Sequence, residues 1–226
     1  MLKVITDRMW GAEDKLKNAG VHFDVRMVVI QLESGGLFLH SPIAIDDKLA
    51  AEIALIGEVE HIVAPTRFHH LWLGAAAQRY PNAKVWGCRG MAEQSTIEGL
   101  VEVEAEERTT WAPDLQCKFV DGNPRVNELV FLHPSSKTLV VCDLIFHMKK
   151  LTGLLTPLVF ALAGTRGRFA QSRLWRATIQ DRAATQQSVR EILEWDFERV
   201  VMSHGEIVHD GGKDMLVKAM RPLLGS

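Results

Sequence analysis

Apolar residues come in short runs along this chain, and polar punctuation separates them at intervals that fit strands and amphipathic helices. VHFDVRMVVIQL (21–32), then Glu33-Ser34-Gly35-Gly36, then LFLH (37–40) predicts an opening hairpin with a Gly-rich turn. Residues 45–59 set Leu49, Ile53 and Ile56 at helical spacing behind an acidic first turn, and HIVAP (61–65) predicts a short buried strand after that helix. A second helix over about 71–80 leads to the strand KVWG (84–87). Strand and helix in alternation predict α/β packing.

The second half changes character. CKFVD (117–121), NELVFLH (127–133) and TLVVCDLIF (138–146) follow one another as strands, the last two joined by Pro134-Ser135-Ser136-Lys137. That is a meander, so the sheet is predicted to be mixed. Residues 181–197 read as an amphipathic helix with Val189, Ile192, Leu193 and Phe197 on one face, and RVVMSHG (199–205) as a last buried strand. LTGLLTPLVFALAG (151–164) is shorter than the ~20 apolar residues of a membrane span and follows Lys149-Lys150. It is expected to be a buried helix, a homodimer contact or a cover over a pocket.

Composition narrows the function classes. The 26 basic and 28 acidic residues are dispersed and nearly cancel, which argues against nucleic acid or an anionic membrane as partner and leaves a small molecule. Cys88, Cys117 and Cys142 are odd in number and far apart, so neither a disulfide framework nor a thiolate zinc site is expected. The charged, broken N-terminal stretch does not read as a secretory signal, and a cytoplasmic location is expected. At 226 residues without a Pro/Gly/Ser linker, residues 1–226 are expected to form a single domain.

Metal-ligating residue types follow apolar strands at three places: His40 after LFL, His69 just past HIVAP and His204 after RVVMS. Asp143 lies inside TLVVCDLIF, where an uncompensated carboxylate would be costly to bury. Strand ends in α/β folds gather at one edge of a sheet, so these four can form a site. Each also has a plainer reading: a histidine satisfied by hydrogen bonds, or an aspartate that caps a segment or pairs with an arginine. Arg166, Arg168, Arg173 and Arg176 form a basic patch that is either a solvated face or an anion pocket.

The order of these blocks resembles the metallo-β-lactamase superfamily, and more closely an uncharacterised branch of lactamase-like proteins classed as a domain of unknown function. PTRFHHLWLG stands in place of the family's Thr-His-x-His-x-Asp-His motif, VVCD in place of its strand ending in Gly-Asp, and VVMSHG in place of its strand ending in Gly-His-Gly. The resemblance covers roughly residues 20–210 and implies a four-layer αββα sandwich, two mixed β-sheets flanked by helices. It implies metal ligands at His69, Asp143 and His204, with His40 and His70 as a fourth ligand or as neighbours that orient the others. Arg67 stands at the motif's first His, Leu71 at its Asp and Trp72 at its third His, while residues 117–127 contain no histidine for the remaining ligand. A dinuclear centre is therefore eroded. A guanidinium has no lone pair to donate, and at ~5 Å from a dication it would be repelled by roughly 6–7 kcal/mol at an effective dielectric near 20.

Three functions compete at this point. A metal-poor or metal-free protein would bind a small anionic molecule using Arg67, Arg166, Arg168, Arg173 and Arg176. A mononuclear hydrolase would hold one divalent zinc, iron or manganese and open an ester, thioester or lactone. Metal-independent catalysis from Ser41, Ser135 or Ser203 is disfavoured, because His40-Ser41 and Ser203-His204 are neighbours whose side chains point to opposite faces of a strand.

Overall fold

The opening apolar run does form the predicted hairpin. In the computed structural model of the chain, which describes residues 1–18, 20–104 and 110–225, β3 (Val21–Gln31) pairs antiparallel with β4 (Leu37–His40), Val28 opposite His40 and Ile30 opposite Phe38. Two further strands precede it, β1 (Lys3–Thr6) and β2 (Met9–Asn18), and they pair antiparallel. The charged N-terminal stretch conceals them because Glu13, Lys15 and Lys17 alternate outward with period two while Met9, Gly11 and Ala12 are buried.

The chain divides into two compact units, residues 1–14 with 26–114, and residues 15–25 with 115–226. In the first unit β4 continues into parallel pairing with β5 (Val59–Ala64), β6 (Lys84–Gly87) and β7 (Val101–Glu102), which gives a seven-stranded sheet in sequence order. The crossovers are α1 (Asp47–Ala54) and α2 (Leu73–Arg79). Asp46 caps α1 by accepting from Leu49 N at 2.7 Å. The helix is shorter than predicted because a Cβ at Gly57 would stand 2.5 Å from the Gly35 carbonyl, so the chain turns there to enter β5.

In the second unit the predicted meander is present: β8 (Gln116–Phe119), β9 (Leu129–His133) and β10 (Thr138–Val141) pair antiparallel, and β11 (Arg199–Met202) adds in parallel beside β10. The helices are α3 (Thr156–Ala163), α4 (Arg173–Ala177), α5 (Arg182–Glu194) and α6 (Gly212–Leu224). Leu139, Val141, Val200 and Met202 pack against Val189 and Ile192 of α5 and Leu216, Met220 and Leu223 of α6, and each such side chain contributes about 1.5–3 kcal/mol on burial.

Two expectations shift. β10 stops at Val141 rather than at Phe146, because Cys142 N and Asp143 N donate to the Glu128 carboxyl. Residues 151–164 are not a wholly buried helix: α3 buries Phe160 and Ala163 and leaves Leu158 and Leu162 exposed. Among the described residues no helix is long and apolar enough to cross a membrane.

Candidate metal centre

In the first unit the parallel pairing of β4 and β5 brings the chain after each strand out at one edge of the sheet. Ser41, which follows His40, donates its N–H to the Val63 carbonyl and takes a left-handed φ of 56°. That conformation is unfavourable for a residue with a Cβ and places its hydroxyl 2.7 Å from His69 Nδ1. His40 is wholly buried, and that burial, followed by the charge of His69, pushes its pKa down to about 3. It is a neutral neighbour of His69 at any physiological pH.

The loop that carries the degenerate motif is held by its own polar groups. His69 N donates to Thr66 O at 3.1 Å, and His70 Nδ1 lies 2.8 Å from Arg67 O, which makes that nitrogen the protonated one. Arg67 is turned toward residues 90–93: it pairs with Glu93 at 3.3 Å, and a Cβ on Gly90 would come within 2.5 Å of its Nη1. Leu71 is 59% exposed and Trp72 half-buried at the start of α2, so neither builds a closed apolar shell at this loop.

The second unit places Asp143 and His204 together by strand register. Val141 stands opposite Met202 in the parallel β10–β11 pair, and two residues on, Asp143 Oδ1 lies 3.2 Å from His204 Nε2. His204 Nδ1 is 2.8 Å from the carbonyl of Asp24, which can only accept, so Nδ1 carries a proton and Nε2 is the nitrogen turned to Asp143. Phe146 stacks on the imidazole, centroids 4.9 Å apart and planes 4° from parallel, and Phe23 meets it edge-on at 6.0 Å. A proton on Nε2 or a cation between the two atoms satisfies this arrangement.

Beside the pair sits Glu128, whose carboxyl group is wholly buried. It accepts from Cys142 N at 2.8 Å and Asp143 N at 3.2 Å, while burial and then the Asp143 charge push its pKa up to about 8. Its only sequence signal is an acidic residue opening the apolar run NELVFLH. Cys142 and Ser203, one residue before the pair on each strand, lie Sγ to Oγ at 3.2 Å.

The remaining candidates lie elsewhere. His133 is engaged by Ser136 and Ser135 at the corner of the meander. Ser41 is wholly buried and Ser203 nearly so, which suits positioning rather than attack on a substrate. Arg168, Arg173 and Arg176 line a cavity in the second unit that neither Asp143 nor His204 lines, Arg166 is exposed outside that lining, and Arg67 belongs to the first unit.

Known proteins place this architecture. No curated protein matches the chain by sequence. Among solved structures, a metallo-β-lactamase from Pontibacter korlensis shares 16% identity at a TM-score of 0.63, covering 100% of this chain and 99% of that one. The metallo-β-lactamase FIM-1 from Pseudomonas aeruginosa, in its mono-zinc form, shares 15% at 0.64 with 100% and 96% covered. A flavodiiron core, Flv1 from Synechocystis sp. PCC6803, shares 9% at 0.67, with 99% of this chain and 60% of that one covered. At such identities the likeness shows the fold alone, the α/β sandwich of the metallo-β-lactamases with its two mixed sheets and flanking helices. The sequence profile described as Domain of unknown function (DUF4336) matches residues 6–159, well over half of the chain, and the protein belongs to that family.

Proposed function

We propose that this protein replaces the dinuclear centre of its fold with a site for at most one divalent ion, zinc, iron or manganese, at the Asp143–His204 pair of the second unit, and that it acts as a hydrolase of an ester, thioester or lactone. The observation that carries this reading is the orientation of His204, whose Nδ1 is committed to the Asp24 carbonyl while Nε2 faces Asp143 Oδ1 at 3.2 Å. Backbone carbonyls fix metal-ligating histidines in this way. Ligand bonds of about 2.0–2.2 Å in a tetrahedron put neighbouring donor atoms roughly 3.3 Å apart, which suits the pair. The donor set does not suit two ions, since Arg67, Leu71 and Trp72 supply no ligand and Arg67 is paired with Glu93.

When bound, such an ion lowers the pKa of its water and polarises a carbonyl. The protein's own part is orientation: Ser41 holds the His69 ring through Nδ1, Asp24 holds that of His204, and Phe146 and Phe23 pin the His204 ring plane. Burial keeps His40 neutral, and His70 ties the loop to itself through its Nδ1 and the Arg67 carbonyl. We take residues 1–226 as one lactamase-like domain and place it in the cytoplasm, a location that the odd, widely spaced set of three cysteines in the sequence supports.

A metal-free reading is favoured by the same 3.2 Å contact if His204 is protonated, because the pair is then an ion pair that needs no cation. Elemental analysis of protein purified without chelator separates the two. One equivalent of zinc, iron or manganese, reduced in Asp143→Asn and His204→Ala, is expected. Sub-stoichiometric metal together with no rise in melting temperature on adding any of the three ions would overturn the one-ion site.

A further inference from the structure

We propose that the cavity between α4 and α6 in the second unit is a binding site for an organic anion, a phosphate or carboxylate headgroup carried on an apolar body. The cavity has a volume of about 470 Å³, within the range of small-molecule pockets. Arg168, Arg173 and Arg176 approach it from the loop after α3 and from α4, and Lys218 from α6. No carboxylate lines it, and among the described residues none of these four cations makes an ion pair.

Arg176 is half-buried, while Arg168, Arg173 and Lys218 are exposed, and two of the four have local support. Arg176 Nη1 donates to the Gln171 carbonyl at 3.2 Å, and the Arg173 side chain lies across Gly164, where a Cβ would come within 3.1 Å of its Nε. Burial, then the nearby charges of Arg173 and Arg182, holds the Arg176 pKa below its ordinary value, the sign of uncompensated positive charge. A second, independent feature is Gln171. It lines the cavity, is 2% exposed, and neither its amide oxygen nor its amide nitrogen has a hydrogen-bond partner among the described residues. A buried primary amide left unpaired is rare in a folded protein, and an oxyanion in the cavity would accept from it.

The rest of the lining selects the body of the ligand. Met215, Ala219 and Pro222 lie at i, i+4 and i+7 on one face of α6, and Phe169 adds an aromatic wall. A bare inorganic anion would leave this surface unused, whereas a headgroup with an alkyl or aryl portion covers it.

Isothermal titration of the full chain, freed of metal with chelator, tests the proposal with octyl phosphate, octanoate, inorganic phosphate and octanol as probes. Octyl phosphate, octanoate or both should bind, the stronger headgroup being thereby identified, with inorganic phosphate and octanol weaker than either. Arg173→Gln and Arg176→Gln should each weaken the bound probe about tenfold or more, the loss of one charge-assisted hydrogen bond. Lys218→Gln, on the outer face of α6, supplies a variant whose folding is not at risk, and its affinity should fall while the far-UV spectrum is unchanged. No heat with either octyl anion, or affinities unmoved in all three variants, overturns the proposal. Asp143→Asn should bind the probe as wild type does, so failure here is distinguishable from failure of the one-ion site.

Discussion

Glu128 makes the stability of the protein depend on pH in a calculable way. Its carboxyl is wholly buried, and burial followed by the Asp143 charge raises its pKa from an ordinary 4.5 to about 8. A carboxyl raised in this way holds its proton more tightly in the native chain than in the unfolded one. Its contribution to stability is therefore complete below pH 4.5 and is lost as the pH climbs toward and through 8. At 1.36 kcal/mol per unit, the contribution is about 4 kcal/mol at pH 5 and about 1.4 kcal/mol at pH 7, a loss of about 2.5 kcal/mol between them.

Glu128→Gln keeps the shape and removes the titration. Its NH₂ must face at least one of the backbone donors at Cys142, Asp143 and Leu144, for a pH-independent cost of about 1–3 kcal/mol. Urea denaturation of both proteins at pH 5, 6 and 7, with chelator present so that no cation shares the carboxylates, gives the free-energy gap directly. Between pH 5 and 7 that gap should move by about 2.5 kcal/mol in the variant's favour. A gap constant to within roughly 0.5 kcal/mol would mean that Glu128 is ionised in the folded chain and that the reasoning is wrong.

Other outcomes follow from single contacts. Gly205 has φ 97° and its missing Cβ would meet the backbone of His147 and Met148, so Gly205→Ala should cost at least about 2 kcal/mol by urea denaturation. Ile192 is wholly buried in the second-unit core, and Ile192→Ala should cost about 2–5 kcal/mol in the same assay. His61 accepts from the Trp86 indole N–H at 3.1 Å and burial lowers its pKa, so its contribution is present above pH 6.5 and lost as the pH falls below it. The variant His61→Gln should show a shallower decline in stability on acidification than wild type, and identical acid limbs would refute the assignment.

The elements most legible in the sequence are those whose burial is set locally. LFLH is buried at every position and is bounded by a Gly-rich turn, so its strand and its hairpin partner read directly. Residues 3–18 carry the same period of two, but in charge rather than in apolarity, and a scan for apolar runs passes over them. α6 was legible in principle, with Leu216, Met220 and Leu223 at helical spacing, although the flanking Gly211-Gly212 and the internal Pro222 argue against a helix until its packing is seen. Asp143 and His204 are legible as members of one site through the blocks VVCD and VVMSHG, whereas their direct contact is set by the β10–β11 register. Glu128 is invisible for a deeper reason: what marks it is its backbone partners at 142 and 143, fourteen and fifteen residues away, and no pattern in NELVFLH records them.

That same register holds the Asp143–His204 pair, whereas the motif loop of the first unit is held by other means. The loop at 66–72 is held by contacts it makes for itself, His69 N to Thr66 O, His70 to Arg67 O and Arg67 to Glu93, so it needs no ion to keep its course. An exposed ion pair such as Arg67–Glu93 adds at most about 1 kcal/mol, and most of the order must come from the backbone bonds. Asp143 and His204, in contrast, are fixed by a sheet that the core of the second unit requires in any case, with Asp24 and Phe146 setting the imidazole. Substitution at the pair would leave a buried donor or acceptor unmatched, at a cost of about 1–3 kcal/mol.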